Sequence, residues 1–401
     1  METDARQDTG RVRVAVPCRV RHRGQTHGFF LEEVSRSGCR VLAPGRPLHN
    51  GVTVDISARL GNKPFLVTGV VINSNEEGFG VSILAISEAN SALLEDMLAG
   101  ASPKASDASP QFRDPTNILV LGAGGGKLLA QLKMIDFLEQ ELGASILDSF
   151  DAFAGVSSGA LILLSAAAGY ETSRIRALLD GSLKRVGWPA FLPFHNLMNK
   201  DSMHSMIDSE FASLRFRDLR KPAFACSRNY ESSIYKYYSS WEEGDFALAE
   251  VIKRAIAIPV LMGTHEGEMD AAVGLFVNPA ELLLRFLRHR ELLNGPVNLV
   301  YIDSGFDPLR QAKPGTFRHQ NVLSQLLWSV AVMQRDLNLL ANDRIVSEFP
   351  RVHYHSYFFT YSRVYDLARN EDFFLAEKEV AANDGPFRAW ARGVREAISS
   401  S

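Results

Sequence analysis

The 401-residue sequence holds only three cysteines, Cys18, Cys39 and Cys226. They are far apart and odd in number, so they imply neither a disulfide framework nor a metal knuckle. A reducing compartment is the natural setting. Charge of one sign is not in excess: 43 basic against 46 acidic residues leave a formal net charge of −3. That gives no electrostatic case for nucleic acid, which needs a basic face. No apolar run reaches the roughly 18 residues needed to span a bilayer. The longest, ALILLSAAA at Ala160–Ala168, reads as a buried helix. The N-terminal METDARQDTG has no apolar h-region of the secretory kind. The ten histidines show no H-E-x-x-H spacing, and neither a metal nor a cofactor is expected. What remains is an ordinary globular composition, 46% hydrophobic and 22% charged, with room for two or three domains. The expected location is the cytoplasm, with any membrane met from its inner surface.

Residues 101–115, ASPKASDASPQFRDP, are rich in Ser, Pro and Asp and read as a linker. They divide a domain at 1–100 from a larger one at 116–401. Before the linker the pattern is β. Short β-branched runs occur at Arg13–Val20, Arg40–Leu42, Val52–Ala58, Phe65–Ile72 and Gly80–Leu84. With turn signals between them they predict a small barrel or sandwich. A helix at Ser87–Leu98 closes it. After the linker, strand, glycine turn and helix alternate. Strands are expected at Ile118–Leu121 and Ser149–Phe153, and helices at Leu128–Leu142 and Ser158–Gly169. This is the pattern of an α/β core with a mostly parallel sheet.

The turn after the first of these strands is LGAGGGKLLA, Leu121–Ala130. It is not a phosphate-binding Walker loop, because Leu128 stands where that loop needs Ser or Thr. It is not a dinucleotide fingerprint, because G-x-G-x-x-G read from Gly122 ends on Lys127. A second motif supplies another use. Gly155–Gly159 reads GVSSG, the G-x-S-x-G pattern, between an apolar strand and an Ala/Leu-rich helix. In that context it marks a nucleophile elbow. Ser157 is the candidate nucleophile, with Gly155 and Gly159 small enough to let strand and helix approach. Gly124, Gly125 and Gly126 then offer N–H groups to an oxyanion, with Lys127 adding positive charge nearby.

At this point the sequence resembles the patatin-like phospholipases, over Asn117 to about Asn383. The order of motifs carries the resemblance: ILVLGAGGGKLLAQLKMIDFLEQ, then DAFAGVSSGALILL, then AEVIKRAIAIPVLM, then Asp270 in EMDAAVGLFVNPAE. Asn278 and Pro279 match the family's Asn-Pro ending. The resemblance implies a patatin-like α/β hydrolase core and a Ser157–Asp270 dyad that cleaves phospholipid or other lipid esters at a membrane surface. Asp303, in YIDSG, mimics the aspartate motif but corresponds to a later strand without a catalytic role. Two departures stand out. Leu128 replaces a usual glycine, and the D-G-G turn reads Asp270-Ala271-Ala272. A conventional triad completed by His319, His353 or His355 is the first alternative, and a catalytically dead scaffold is the second.

The first domain resembles the PilZ domain, a small bacterial β-barrel that often binds cyclic di-GMP. The matching stretches are V-P-x-x-V-R at Val16–Arg21, E-V-S-R-S-G at Glu33–Gly38 and GVVINSNEEGFGVSIL. Ser35 and Gly38 keep the family's ligand signature, whereas Glu33 replaces its Asp or Asn. The arginine arm is out of register, with Arg6 and Arg11 one place from the required spacing. Weak or absent cyclic di-GMP binding is expected, and the barrel is expected to regulate the hydrolase. Two further stretches invite a membrane reading: the aromatic Trp188–Leu197, and Glu281–Leu293, whose default is a solvated basic face over a buried stripe.

Overall fold

A computed structural model of the chain describes residues 10–61, 63–100, 114–183, 200–242, 245–259, 262–273, 278–306, 336–361 and 370–399. It divides into two compact units. The first spans residues 1–110 and also takes in 229–238 and 242–244. The second holds the rest. The expected linker lies outside the described residues except for its last two, as do Arg6, His195, His319 and Trp188–Leu197.

The first unit is a closed antiparallel barrel. Its strands are β1 (Val12–His22), β2 (Gln25–Val34), β3 (Gly38–Leu42), β4 (Thr53–Leu60), β5 (Lys63–Ser74) and β6 (Gly78–Ser87). They are ordered β6-β3-β2-β1-β4-β5, and β5 pairs with β6 to close the ring. Closure leaves none of the six with a bare edge. Val20, Leu31, Val41, Ile56, Val67 and Phe79 are fully shielded at its centre. Each such side chain contributes about 1.5–3 kcal/mol relative to exposure. The helix Glu88–Leu98 is capped by Ser87, whose hydroxyl accepts from Asn90 N at 3.1 Å. It seals the barrel with Leu93 and Leu94. Cys18 and Cys39 are buried, and desolvation pushes both thiols up to about 12. The strand β2 is not announced by the sequence, because its apolar residues, Phe29 to Leu31, form a cluster too short to alternate.

The second unit is built on five parallel strands. They are β7 (Asn117–Leu121), β8 (Ala152–Val156), β9 (Ala223–Asn229), β12 (Val297–Phe306) and β13 (Val352–Tyr361). Their order is β13-β12-β7-β8-β9. Ile118 to Leu121 are all fully buried, as the central strand of a sheet covered on both faces requires. The order turns back at β7, which has β8 on one side and β12 on the other. Clefts at the carboxyl ends of strands form at such reversals. The short strand β11 (Glu268–Asp270) pairs with β9. The strand expected at Ser149–Phe153 begins three residues later, because Ser145 caps a single helical turn at Ile146–Ser149.

Among the described residues no helix is long and apolar enough to cross a membrane. The helix Pro279–His289 does not carry a solvated basic face either. Arg285 is buried, 3.0 Å from Glu281 and 3.3 Å from Glu348. Arg288 lies 4.3 Å from the centre of the Phe349 ring.

Candidate active site

Ser157 follows β8 directly and precedes the helix Ser158–Ala167. Its backbone sits at φ 56° and ψ −132°, a region that L-residues rarely occupy. The motif glycines are steric necessities. A Cβ on Gly155 would meet Ala160 N and Gly159 C at 2.5 Å, and one on Gly159 would meet Gly122 O at 2.6 Å. The elbow therefore closes only with hydrogen at both positions. The helix it starts is ten residues long, and its positive dipole end lies at the elbow.

A buried polar chain joins the elbow to the glycine loop. Gly124 N donates to Ser158 Oγ at 2.7 Å, and Ser158 Oγ donates to Gln131 Oε1 at 2.7 Å. Gln131 Nε2 donates to Gly122 O at 2.8 Å. Gly124 has no room for a side chain, since its Cβ would meet Gln131 Oε1 at 2.2 Å. The N–H of Gly124 is thus committed to holding the loop. Gly125, at φ 51°, opens the short turn Gly125–Lys127 that leads into the helix Leu128–Leu142. Neither Ser158 nor Gln131 stood out from the motifs. Gln131 could have been found as the lone uncharged polar residue within Leu128–Leu138.

Lys127 does not point its ammonium into open space. Nζ donates to Ser304 O at 3.0 Å and lies 5.6 Å from the centre of the Tyr361 ring. Burial lowers its pKa, and the charge of Asp303 works against that shift. It braces the glycine loop against the end of β12.

Asp270 ends β11 and is 1% exposed. It accepts a hydrogen bond from the Ser157 side chain, and its Oδ1 accepts from Ala272 N at 2.8 Å. Desolvation raises its pKa to about 7, and those two hydrogen bonds pull the other way. Its backbone N donates to Ala257 O at 2.8 Å, which ties it to the AEVIKRAIAIPVLM segment. Asp303 is also buried but fully engaged. It accepts from Ser304 N at 2.8 Å, Tyr301 Oη at 2.9 Å and Asn338 Nδ2 at 2.6 Å. Asn278 caps its helix by accepting from Ala280 N at 2.9 Å, with Pro279 at the first helical position.

In the barrel, Ser35 Oγ accepts from Gly38 N at 3.1 Å and donates to Gly38 O at 3.0 Å. The two residues of the ligand signature thus close the turn between β2 and β3. Gly38 is required there, because a Cβ would meet Val81 O at 2.7 Å. Arg11 Nη1 lies 3.6 Å from Glu33 Oε2. Both line a cavity of about 200 Å³ with Ser35, Gly38, Arg40 and Asn73.

Residues 5–100 match the family model of the PilZ domain, and residues 119–305 match that of the patatin-like phospholipases. The chain thus carries a PilZ-like barrel followed by a patatin-like domain. A comparison with curated proteins finds no match. Among solved structures, VipD from Legionella pneumophila is 13% identical with a TM-score of 0.31, over 71% of this chain and 73% of that one. The ExoU–SpcU complex from Pseudomonas aeruginosa is 14% identical with a TM-score of 0.28, over 76% of this chain and 57% of that one. The Bacillus subtilis motility inhibitor MotI/DgrA is 14% identical with a TM-score of 0.22, over 25% of this chain. Only 53% of MotI/DgrA is spanned. Likeness at this level carries no argument about activity.

His353 and His355 are set apart from the patatin-like elbow by strand register, whereas His319 lies outside the described residues. His355 pairs with Val300, Val300 with Leu119, and Leu119 with Phe153. That level is four residues before Ser157, about 13 Å along the strands, and three strand spacings, about 14 Å, lie across the sheet. His353 lies further still toward the strand starts.

Proposed function

We propose that the patatin-like domain hydrolyses lipid esters through a Ser157–Asp270 dyad. The observation that carries this reading is the Asp270 carboxyl, buried, raised to about 7 and hydrogen-bonded by the Ser157 side chain. A general base works best when its pKa lies near the working pH. An ordinary carboxylate near 4 is a weak base, and burial removes that handicap.

Ser157 Oγ attacks the ester carbonyl and its proton passes to Asp270. The oxyanion is held by the N–H groups of Gly125 and Gly126 and by the N-terminus of the elbow helix. Gly124 fixes that loop rather than donating. The alcohol leaves with the proton from Asp270. Asp270 then takes a proton from water, the hydroxide attacks the acyl-enzyme, and the fatty acid is released as Asp270 returns that proton to Ser157 Oγ. The substrate class is phospholipid or another lipid ester, reached at a membrane surface.

Ser157→Ala removes only the nucleophilic oxygen. It should cut ester hydrolysis by at least ~10³-fold while circular dichroism stays unchanged, and a fluorophosphonate should label wild type but not the variant. Wild-type activity in Ser157→Ala would refute the dyad. Inert wild-type protein would support a scaffold role instead.

A further inference from the structure

The strand that carries Asp270 is very short. β11 has three residues, Glu268, Met269 and Asp270, all buried. It pairs with β9, which comes much earlier in the chain. Between the two in sequence come a further short strand, β10 (Tyr235–Ser239), and the helix Leu248–Ala255. The tight turn before β11 has Glu266 and Gly267 at positive φ and pairs His265 with Glu268. It fixes β11 only to the chain just ahead of it. The register of β11 on β9 is thus not set by a turn, as it is in a hairpin.

Register decides where the carboxylate of Asp270 goes. Side chains alternate along a strand, so Glu268 and Asp270 share one face and Met269 takes the other. A slip of one residue would turn Asp270 away and bring Met269 toward Ser157.

A second serine–carboxylate pair lies beside the dyad. Cys226 of β9 is opposite Val156 of β8, and Ser227 and Ser157 are the next residues of the two segments. Ser227 Oγ donates to Glu268 Oε2. The two residues are 0% and 3% exposed. Arg254, on the helix Leu248–Ala255, holds Nη1 3.9 Å from Glu268 Oε1 and donates from Nη2 to Glu266. A buried carboxylate is a costly way to fill a strand position, and an apolar side chain of similar size often serves stability as well or better. What the carboxylate adds is direction. The Ser227–Glu268 bond forms in one register and is lost in the slipped one, which would bury a hydroxyl and a carboxylate apart from each other. Apolar packing tolerates a slip that such a bond does not. Buried polar side chains fix the register of paired helices in the same way.

We propose that Ser227 and Glu268, with Arg254 behind them, lock the register of β11 on β9 and so place Asp270 against Ser157. They touch neither the substrate nor the reacting atoms, and they are positioning residues. The effect on catalysis rests on the dyad reading, whereas the lock itself does not.

The double change Ser227→Ala with Glu268→Met removes both partners together and strands neither. Its thermal midpoint should stay within about 4 °C of wild type. Its kcat should fall about 10–100-fold with KM little changed, since a misplaced base loses rate rather than binding. Exchange of the amides of Met269 and Asp270, the latter bonded to Ala257 O at 2.8 Å, should speed several-fold. Glu268→Gln keeps an acceptor for Ser227. It should hold kcat within about threefold of wild type, with slow exchange at 269–270. If the double change does not fold, Ser227→Ala alone against Glu268→Gln makes the same contrast. Wild-type kcat and wild-type exchange in the double variant would overturn the lock. So would a loss in Glu268→Gln as large as in the double variant, because charge and not the bond would then be at work. A fall in kcat that only tracks a fall in thermal midpoint would reduce the pair to general packing and overturn the proposal too. Fast exchange in the double variant and slow exchange in Glu268→Gln, in a chain whose wild type hydrolyses no ester, would keep the lock and sink the hydrolase reading.

Discussion

Asp270 and Asp303 are two buried carboxylates in the same domain, 1% and 4% exposed. Their partners differ. Asp303 is held by Tyr301, Asn338 and its neighbouring N–H, with Lys127 close enough to act on it. Asp270 has one backbone donor and the Ser157 hydroxyl. Burial raises both, Asp270 to about 7 and Asp303 to about 6. The lesson is that burial alone does not make a base. A carboxylate held by three fixed donors holds a structure together. One that faces a hydroxyl can take its proton.

The sharpest way to break this comparison is to neutralise each in turn. Asp270→Asn should lower kcat/KM by about 10³-fold, within the range of general base loss. Asp303→Asn should keep activity within about tenfold. It should cost about 1–3 kcal/mol in denaturant unfolding, because buried donors lose an ionised acceptor. The reverse ranking would move the base to Asp303.

Loss of the loop brace should rank next. Gln131→Leu preserves size but strands Ser158 Oγ and Gly122 O. We expect a fall in kcat of about 10–100-fold with KM little changed, below the full cost of an oxyanion donor. Equal kcat in variant and wild type would remove the relay from the site.

The pH profile separates the two carboxylates more gently. Asp270 is raised from about 4 in the unfolded chain to about 7 in the fold. The native state therefore holds a proton that the unfolded chain has released across that window. Its contribution to stability is complete below about pH 4 and is lost as pH rises through about 7. Activity runs the opposite way, with kcat/KM climbing to a plateau above about pH 7. Stability curves of wild type and Asp270→Asn should converge at low pH and separate in favour of the variant above 7. A flat activity profile between pH 5 and 8 would contradict the assignment.

The smallest expected signal lies in the barrel. Arg11 and Glu33 engage each other, and the cavity of about 200 Å³ they line falls below the usual range for a ligand pocket. Titration calorimetry of the full chain with cyclic di-GMP should give a dissociation constant above about 10 μM, near −7 kcal/mol. Submicromolar binding would mean that Arg11 abandons Glu33 for phosphate.

The elbow was legible in the sequence because sterics wrote it there. Gly155 and Gly159 have no room for a Cβ, so the motif and the geometry are one constraint. The first strand and helix of the α/β core were legible for the same local reason, with apolar runs bounded by glycine. The second strand starts three residues late because Phe150 and Phe153 read as one apolar run, while Ser145 caps a helical turn at Ile146–Ser149 just before them. The fate of Arg285 was non-local, since its partner Glu348 comes from a distant helix.

The backbone of Ser157 has a consequence for how this chain was shaped. A non-glycine residue held at positive φ carries a standing cost of about 1–2 kcal/mol. The side chain that this backbone carries reaches toward Asp270. Glycine would relax the turn at once and lose only the hydroxyl. For a chain ruled by folding stability alone, serine is the worse choice here, and it is tolerable only where the oxygen is put to use.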